Sequence, residues 1–123
     1  MYDPALAIEQ LEDVLEALDR VPHRFAKIAN PEDFLDGEEG QDRLDAICMV
    51  LIAVGEAFKH IDRRTASTLL PRYPAIDWHG VMGVRDVIAH GYFDVDIEQV
   101  FAICKNDIPL LAATVRQMLK DLR

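Results

Sequence analysis

Apolar residues recur along this chain at helical spacing, and no stretch alternates convincingly as a strand would. Leu6, Leu11, Val14, Leu15 and Leu18 share one helix side, with acidic residues between them. Asp3-Pro4 ahead of them supplies an N-cap and a proline at the first helical position, and Pro22 ends or kinks the helix. Asn30-Pro31-Glu32-Asp33 begins a short turn that presents Phe34 and Leu35, and Gly37 to Gly40 reads as a break. A long second helix is predicted from about Gln41 to Asp62. Its middle, Ile47 to Val54, is apolar all round and so belongs at the centre of a bundle. Thr65–Leu70 reads as a short helix stopped by Pro71, and Tyr73-Pro74 as extended. Asp77 caps a further helix that runs to about His90 and stops at Gly91. Asp96 caps a last helix to about Leu122, bent at Pro109. Short connections favour antiparallel neighbours, so the expected fold is all-α, a four- to five-helix up-and-down bundle.

A chain of 123 residues is expected to form one domain over residues 1–123, burying about two-thirds of its unfolded surface. No apolar run approaches the roughly 20 residues of a membrane span, and Met1-Tyr2-Asp3-Pro4 lacks the basic and apolar blocks of a signal peptide. Cys48 and Cys104 lie in apolar stretches without a CxxC spacing, which reads as two reduced core thiols in a cytoplasmic protein. Charge is distributed unevenly. Residues 1–46 hold 13 acids and 4 bases, net −9, whereas residues 47–123 hold 9 of each. Such a chain is not expected to coat nucleic acid along its whole surface, and neither DNA nor membrane is an expected partner. RNA could still bind locally in the neutral part, where Lys59, Arg63, Arg64, Arg72, Arg85 and Lys105 lie, and the acidic first helix could face a basic protein.

The most informative segment is Gly83-Val84-Arg85-Asp86-Val87-Ile88-Ala89-His90-Gly91-Tyr92-Phe93. On one continuous helix at 100° per residue, Trp78, Val81, Met82, Ile88 and Ala89 form an apolar stripe with Arg85 in its middle. A charge there is either half of a buried ion pair, with Glu56 as a possible partner, or part of a working site. Asp86 and His90 are i,i+4, and a carboxylate beside an imidazole orients it and raises its pKa. Arginine offers a planar fork for phosphate and for charge developing in phosphoryl transfer. These are the parts for metal-free RNA cleavage, although an unbroken helix places Arg85 and His90 about 140° apart. Val84 and Val87 lie off the stripe near Gly80 and Gly83, which suggests a second packing face and a homodimer, or close packing within one chain. Glu56 and His60 have a spacing that could ligate a metal, but no second pair completes a site, so no metal or cofactor is expected. There is no phosphate loop, and no serine is placed for a nucleophile triad.

Four segments together resemble the HepT-like (DUF86) kind of the HEPN superfamily. They are Asp45 to Met49 with Val54 to Lys59, Tyr73 to Trp78, Met82 to Asp94 with its Arg-Asp-x3-His-x-Tyr element, and Asn106 to Leu111. The resemblance covers nearly the whole chain. It implies a helical homodimer with a cleft between the two motif helices, and a metal-independent endoribonuclease acting as the toxin of a toxin–antitoxin pair. It implies Arg85 and His90 as catalytic, Asp86 as the polar residue after the arginine, and a minimal nucleotidyltransferase antitoxin that adenylylates Tyr92. The alternative is a non-catalytic helical partner of such a nucleotidyltransferase. One departure is Val50, where the family often carries a basic residue, leaving one positive charge fewer for RNA.

Overall fold

The computed structural model describes residues 2–91 and 93–123. Seven α-helices are present among them: α1 Pro4–Asp19, α2 Val21–Phe25, α3 Gly37–Arg64, α4 Trp78–Met82, α5 Val84–Ile88, α6 Ile97–Ala102 and α7 Ile108–Leu122. Single residues separate α1 from α2 and α4 from α5, and a π-helical turn joins α6 to α7, so the chain forms four helical units. They make the expected all-α bundle. α3 packs on α1, α2, α4 and α5, and α7 packs along α1. One core joins them, running from Leu11 in α1 through Phe58 in α3 and Ile88 in α5 to Leu119 in α7. Among the described residues no helix is long and apolar enough to cross a membrane.

The predicted caps form. Asp3 accepts from the Ala5 amide at 3.0 Å and Asp77 from Gly80 at 3.1 Å. Asn30 and Asp33 make a capping box around a 3-10 turn, Pro31–Leu35, which buries Phe34 and leaves Leu35 exposed. Four expectations need correction. α3 starts at Gly37 rather than Gln41, because Gly40 lies inside its first turn, where the absent Cβ lets the backbone of Asp33 and Phe34 approach. Residues 65–68 are not helical. The Thr65 hydroxyl donates back to the Ile61 carbonyl at 2.8 Å, and Ala66 and Ser67 take left-handed φ of 52° and 57°, which ends α3. A 3-10 turn, Leu70–Arg72, follows instead. The middle of α3 is not covered all round, since Met49 is 70% exposed. The last helix is widened as well as bent. Proline at 109 has no N–H to donate and would press on the carbonyl of residue 105, and a π turn at Ile103–Asp107 relieves both.

The helix carrying the motif is broken at Gly83 into α4 and α5 and ends at Ile88, two residues before His90. Its placement rests on Gly55 of α3. A Cβ there would lie 2.7 Å from the Val81 carbonyl oxygen and 3.1 Å from Val84 Cγ1. Trp78 anchors the start of the segment, with its ring 4.8 Å from that of Phe58 and its indole N–H donating to the Tyr73 carbonyl at 3.0 Å. Tyr73 in turn donates its hydroxyl to Asp121 of α7 at 2.7 Å.

Gly55→Ala is therefore expected to destabilise the fold. The helix-propensity gain of about 1 kcal/mol is outweighed by an overpacking cost of about 1–3 kcal/mol, and urea unfolding measures the balance. A second expectation concerns the thiols. Burial, then Asp45, pushes Cys48 up to about 11, and burial, then Cys48, pushes Cys104 up to about 12. At pH 8 the thiolate fraction is ~10⁻³ or less. Both should react slowly with a thiol reagent until denaturant is added, and fast labelling of the native protein would contradict this packing.

Candidate active site

Two inward residues decide how α5 sits. Val84 and Ile88 are i,i+4 and both buried. Helical pitch then turns Arg85, Asp86 and Val87 outward, and all three are exposed. Trp78, Val81, Met82 and Ile88 pack on the core as the stripe requires, but α5 restarts after the break at Gly83 and Arg85 stands outside that stripe. Arg85 is not buried, and its guanidinium forms no ion pair among the described residues.

Glu56 is not held by Arg85. Its carboxylate accepts from Lys59 Nζ at 3.0 Å. The Lys59 hydrogen bond and charge hold the Glu56 carboxyl below its usual range, with smaller contributions from Arg85 and His60. Three basic side chains from α3 and α5 thus lie within electrostatic reach of one carboxylate, in a chain that is acidic as a whole. Val50 is buried in the core of α3 beside exposed Met49.

His90 lies beyond the helix. Ala89 is extended and forms an antiparallel bridge with Val95. The His90 amide donates to the Asp94 carbonyl at 2.8 Å, and the Asp96 amide donates to the Ile88 carbonyl at 2.7 Å. His90 therefore lies off the helix, and the figure of about 140° for an unbroken helix does not describe it. The doubling back also changes the histidine's partner. Asp86, four residues earlier, makes no hydrogen bond to His90 among the described residues, whereas His90 Nε2 lies 3.3 Å from Asp96 Oδ2. The Gln99 amide bond, first, and the His90 bond hold the Asp96 carboxyl below its usual range. Sequence reading found Asp96 only as a helix cap. The signal for more was Gly91 between two short apolar stretches, which permits a turn. Gly91 and Phe93 are exposed on either side of Tyr92, which itself lies outside the described residues.

Beside this surface, α3, α4, α5 and α7 enclose an apolar cleft of about 340 Å³, lined by Leu51, Val54, Val84, Val87, Leu110 and Leu111 among others. Val87 and Leu110 are 39% and 48% exposed at this cleft. Val84, expected on a free second face, is instead committed to the core against Gly55.

Comparison with known proteins shows the family. The model of a family described as ribonuclease HepT-like matches residues 7–118. A protein named as a probable ribonuclease HepT, from Thermococcus cleftensis, is 30% identical over 91% of this chain and 94% of its own length. A candidate RNase of Methanocaldococcus jannaschii is 30% identical over 91% of this chain and 86% of its own. A second from the same organism is 26% identical over 99% and 86%. No solved structure matches.

Proposed function

Because the chain belongs to the HepT-like ribonuclease family, we propose that it is a metal-independent endoribonuclease, the toxin of a toxin–antitoxin pair in the cytoplasm, formed from one domain spanning residues 1–123. The observation that carries this reading is the exposed Arg85 guanidinium, without an ion-pair partner among the described residues, on the turn of α5 that leads to exposed His90. Such a guanidinium is available to a phosphodiester, with Lys59 adding local positive charge. Glu56 supports this surface by holding Lys59.

In the reaction, the RNA 2′-oxygen forms a bond to the adjacent phosphorus as the bond from phosphorus to the 5′-oxygen breaks. His90 takes the proton from the 2′-hydroxyl, and the departing 5′-oxygen is protonated in turn. Arg85 stabilises the extra charge on the phosphoryl oxygens, and Asp86 is the polar residue beside it. Side chains supply the positive charge, so cleavage needs no metal ion. The apolar cleft, with Val87 and Leu110 exposed at it, supports a homodimer in which this face covers its copy. Purified protein is expected to cleave RNA in the presence of EDTA, and its expression alone to arrest growth. Arg85→Ala or His90→Ala should lower cleavage on the order of 10²–10⁴-fold with an unchanged Tm. Undiminished cleavage by either variant would refute the assignment, and soluble wild-type protein that binds a nucleotidyltransferase without cutting RNA would favour the non-catalytic partner.

The antitoxin in this reading is a minimal nucleotidyltransferase that transfers AMP to Tyr92. The exposure of Gly91 and Phe93 supports access to that position. An adenylyl group two residues from His90 adds bulk and negative charge where RNA phosphate must bind. Co-expression with the neighbouring nucleotidyltransferase should raise the intact mass by one or more adenylyl units, and Tyr92→Phe should abolish the increase. An unshifted mass would leave inhibition to binding alone.

A further inference from the structure

Asp96 is held through four of its atoms. Its amide donates to Ile88 at 2.7 Å, and its carbonyl accepts from Val100 at 3.0 Å. Oδ1 caps α6 by accepting from the Gln99 amide at 3.1 Å, and Oδ2 faces His90 Nε2 at 3.3 Å. The cap fixes one carboxylate oxygen and thereby aims the other. The His90 and Asp96 side chains are 53% and 30% exposed, a setting in which an ion pair contributes little to stability. Orientation is what the arrangement supplies.

We propose that Asp96 is a positioning residue for His90, holding the imidazole with its proton on Nε2 so that Nδ1 is the nitrogen that exchanges a proton with RNA. This rests on the reading of His90 as the proton-handling group. A carboxylate oxygen can only accept, so the neutral imidazole must donate from the nitrogen facing it. Nδ1 is then left with a free lone pair. His90 cannot turn that lone pair elsewhere by moving its backbone, which is tied to Asp94 through the 2.8 Å bond.

Asp96→Asn separates the cap from this role. Asparagine caps helices as well as aspartate does, so its oxygen keeps the Gln99 bond. Its NH₂ then faces Nε2, which must accept, and the proton moves to Nδ1. The fold is retained while the reactive nitrogen is blocked. Long-range ¹H–¹⁵N correlation spectra give the tautomer without any RNA, with the His90 signals identified by their loss in His90→Gln. The wild type should show the Nε2–H form and Asp96→Asn the Nδ1–H form. RNA cleavage by Asp96→Asn should fall in kcat, on the order of 10²–10⁴-fold, with KM and Tm little changed. If Asp96→Asn proves unstable, Asp96→Ser keeps a capping oxygen but is too short to reach His90, and should relax from a single Nε2–H form to the tautomer mixture of a free histidine. A wild-type Nδ1–H tautomer, or wild-type kcat in Asp96→Asn, overturns the proposal. A wild type that cuts no RNA overturns the ribonuclease reading instead, and the spectra still decide whether Asp96 sets the tautomer.

Discussion

The backbone of the motif segment lies directly on α3 at Gly55, and the candidate site follows from that contact. Any side chain at 55 would strike the Val81 carbonyl and Val84. The close approach lets Val84 and Ile88 reach the core as an i,i+4 pair. Once those two point inward, helical geometry leaves Arg85 and Asp86 no direction but outward. A small residue on the central helix thus sets the exposure of a charged residue on another element. Close packing makes this possible, since well-filled interiors transmit a displacement rather than absorb it.

The second determinant is where α5 stops. Ala89 leaves the helix for an extended conformation, and the bridge to Val95 returns the chain to the helix end. A continuous helix would have kept His90 and Asp86 on one flank and Arg85 on another. The turn replaces that arrangement with a histidine facing the first residue of the following helical unit. Asp96 therefore belongs to two structures at once, the N-terminus of α6 and the surroundings of His90.

Charge adds a constraint of a different kind. The excess of carboxylates lies in residues 1–46, so the site does not gain from the protein's overall field. Its attraction for phosphate has to be local. Arg85, Lys59 and His60 act on a common carboxylate, Glu56, which pairs with Lys59, and among the described residues the Arg85 guanidinium forms no ion pair.

Period, caps and prolines were enough to place the main helices and the bundle, because each depends on residues within a few positions of one another. Asp3, Asp77 and Asp96 cap as their neighbours require, and Pro109 distorts the helix that contains it. The segment from Arg85 to Tyr92 stood out in the sequence as the candidate site. Tertiary structure alone decided how those residues stand. Whether Gly83 breaks a helix depends on what the flanking turns pack against, here Phe58 and Gly55 of α3, 25 and 28 residues before it in sequence. Whether His90 meets Asp86 or Asp96 depends on a chain reversal fixed by backbone hydrogen bonds, which the identities of the side chains only permit. Local propensity acts residue by residue, whereas the face that a charge presents is set by the elements packed behind it.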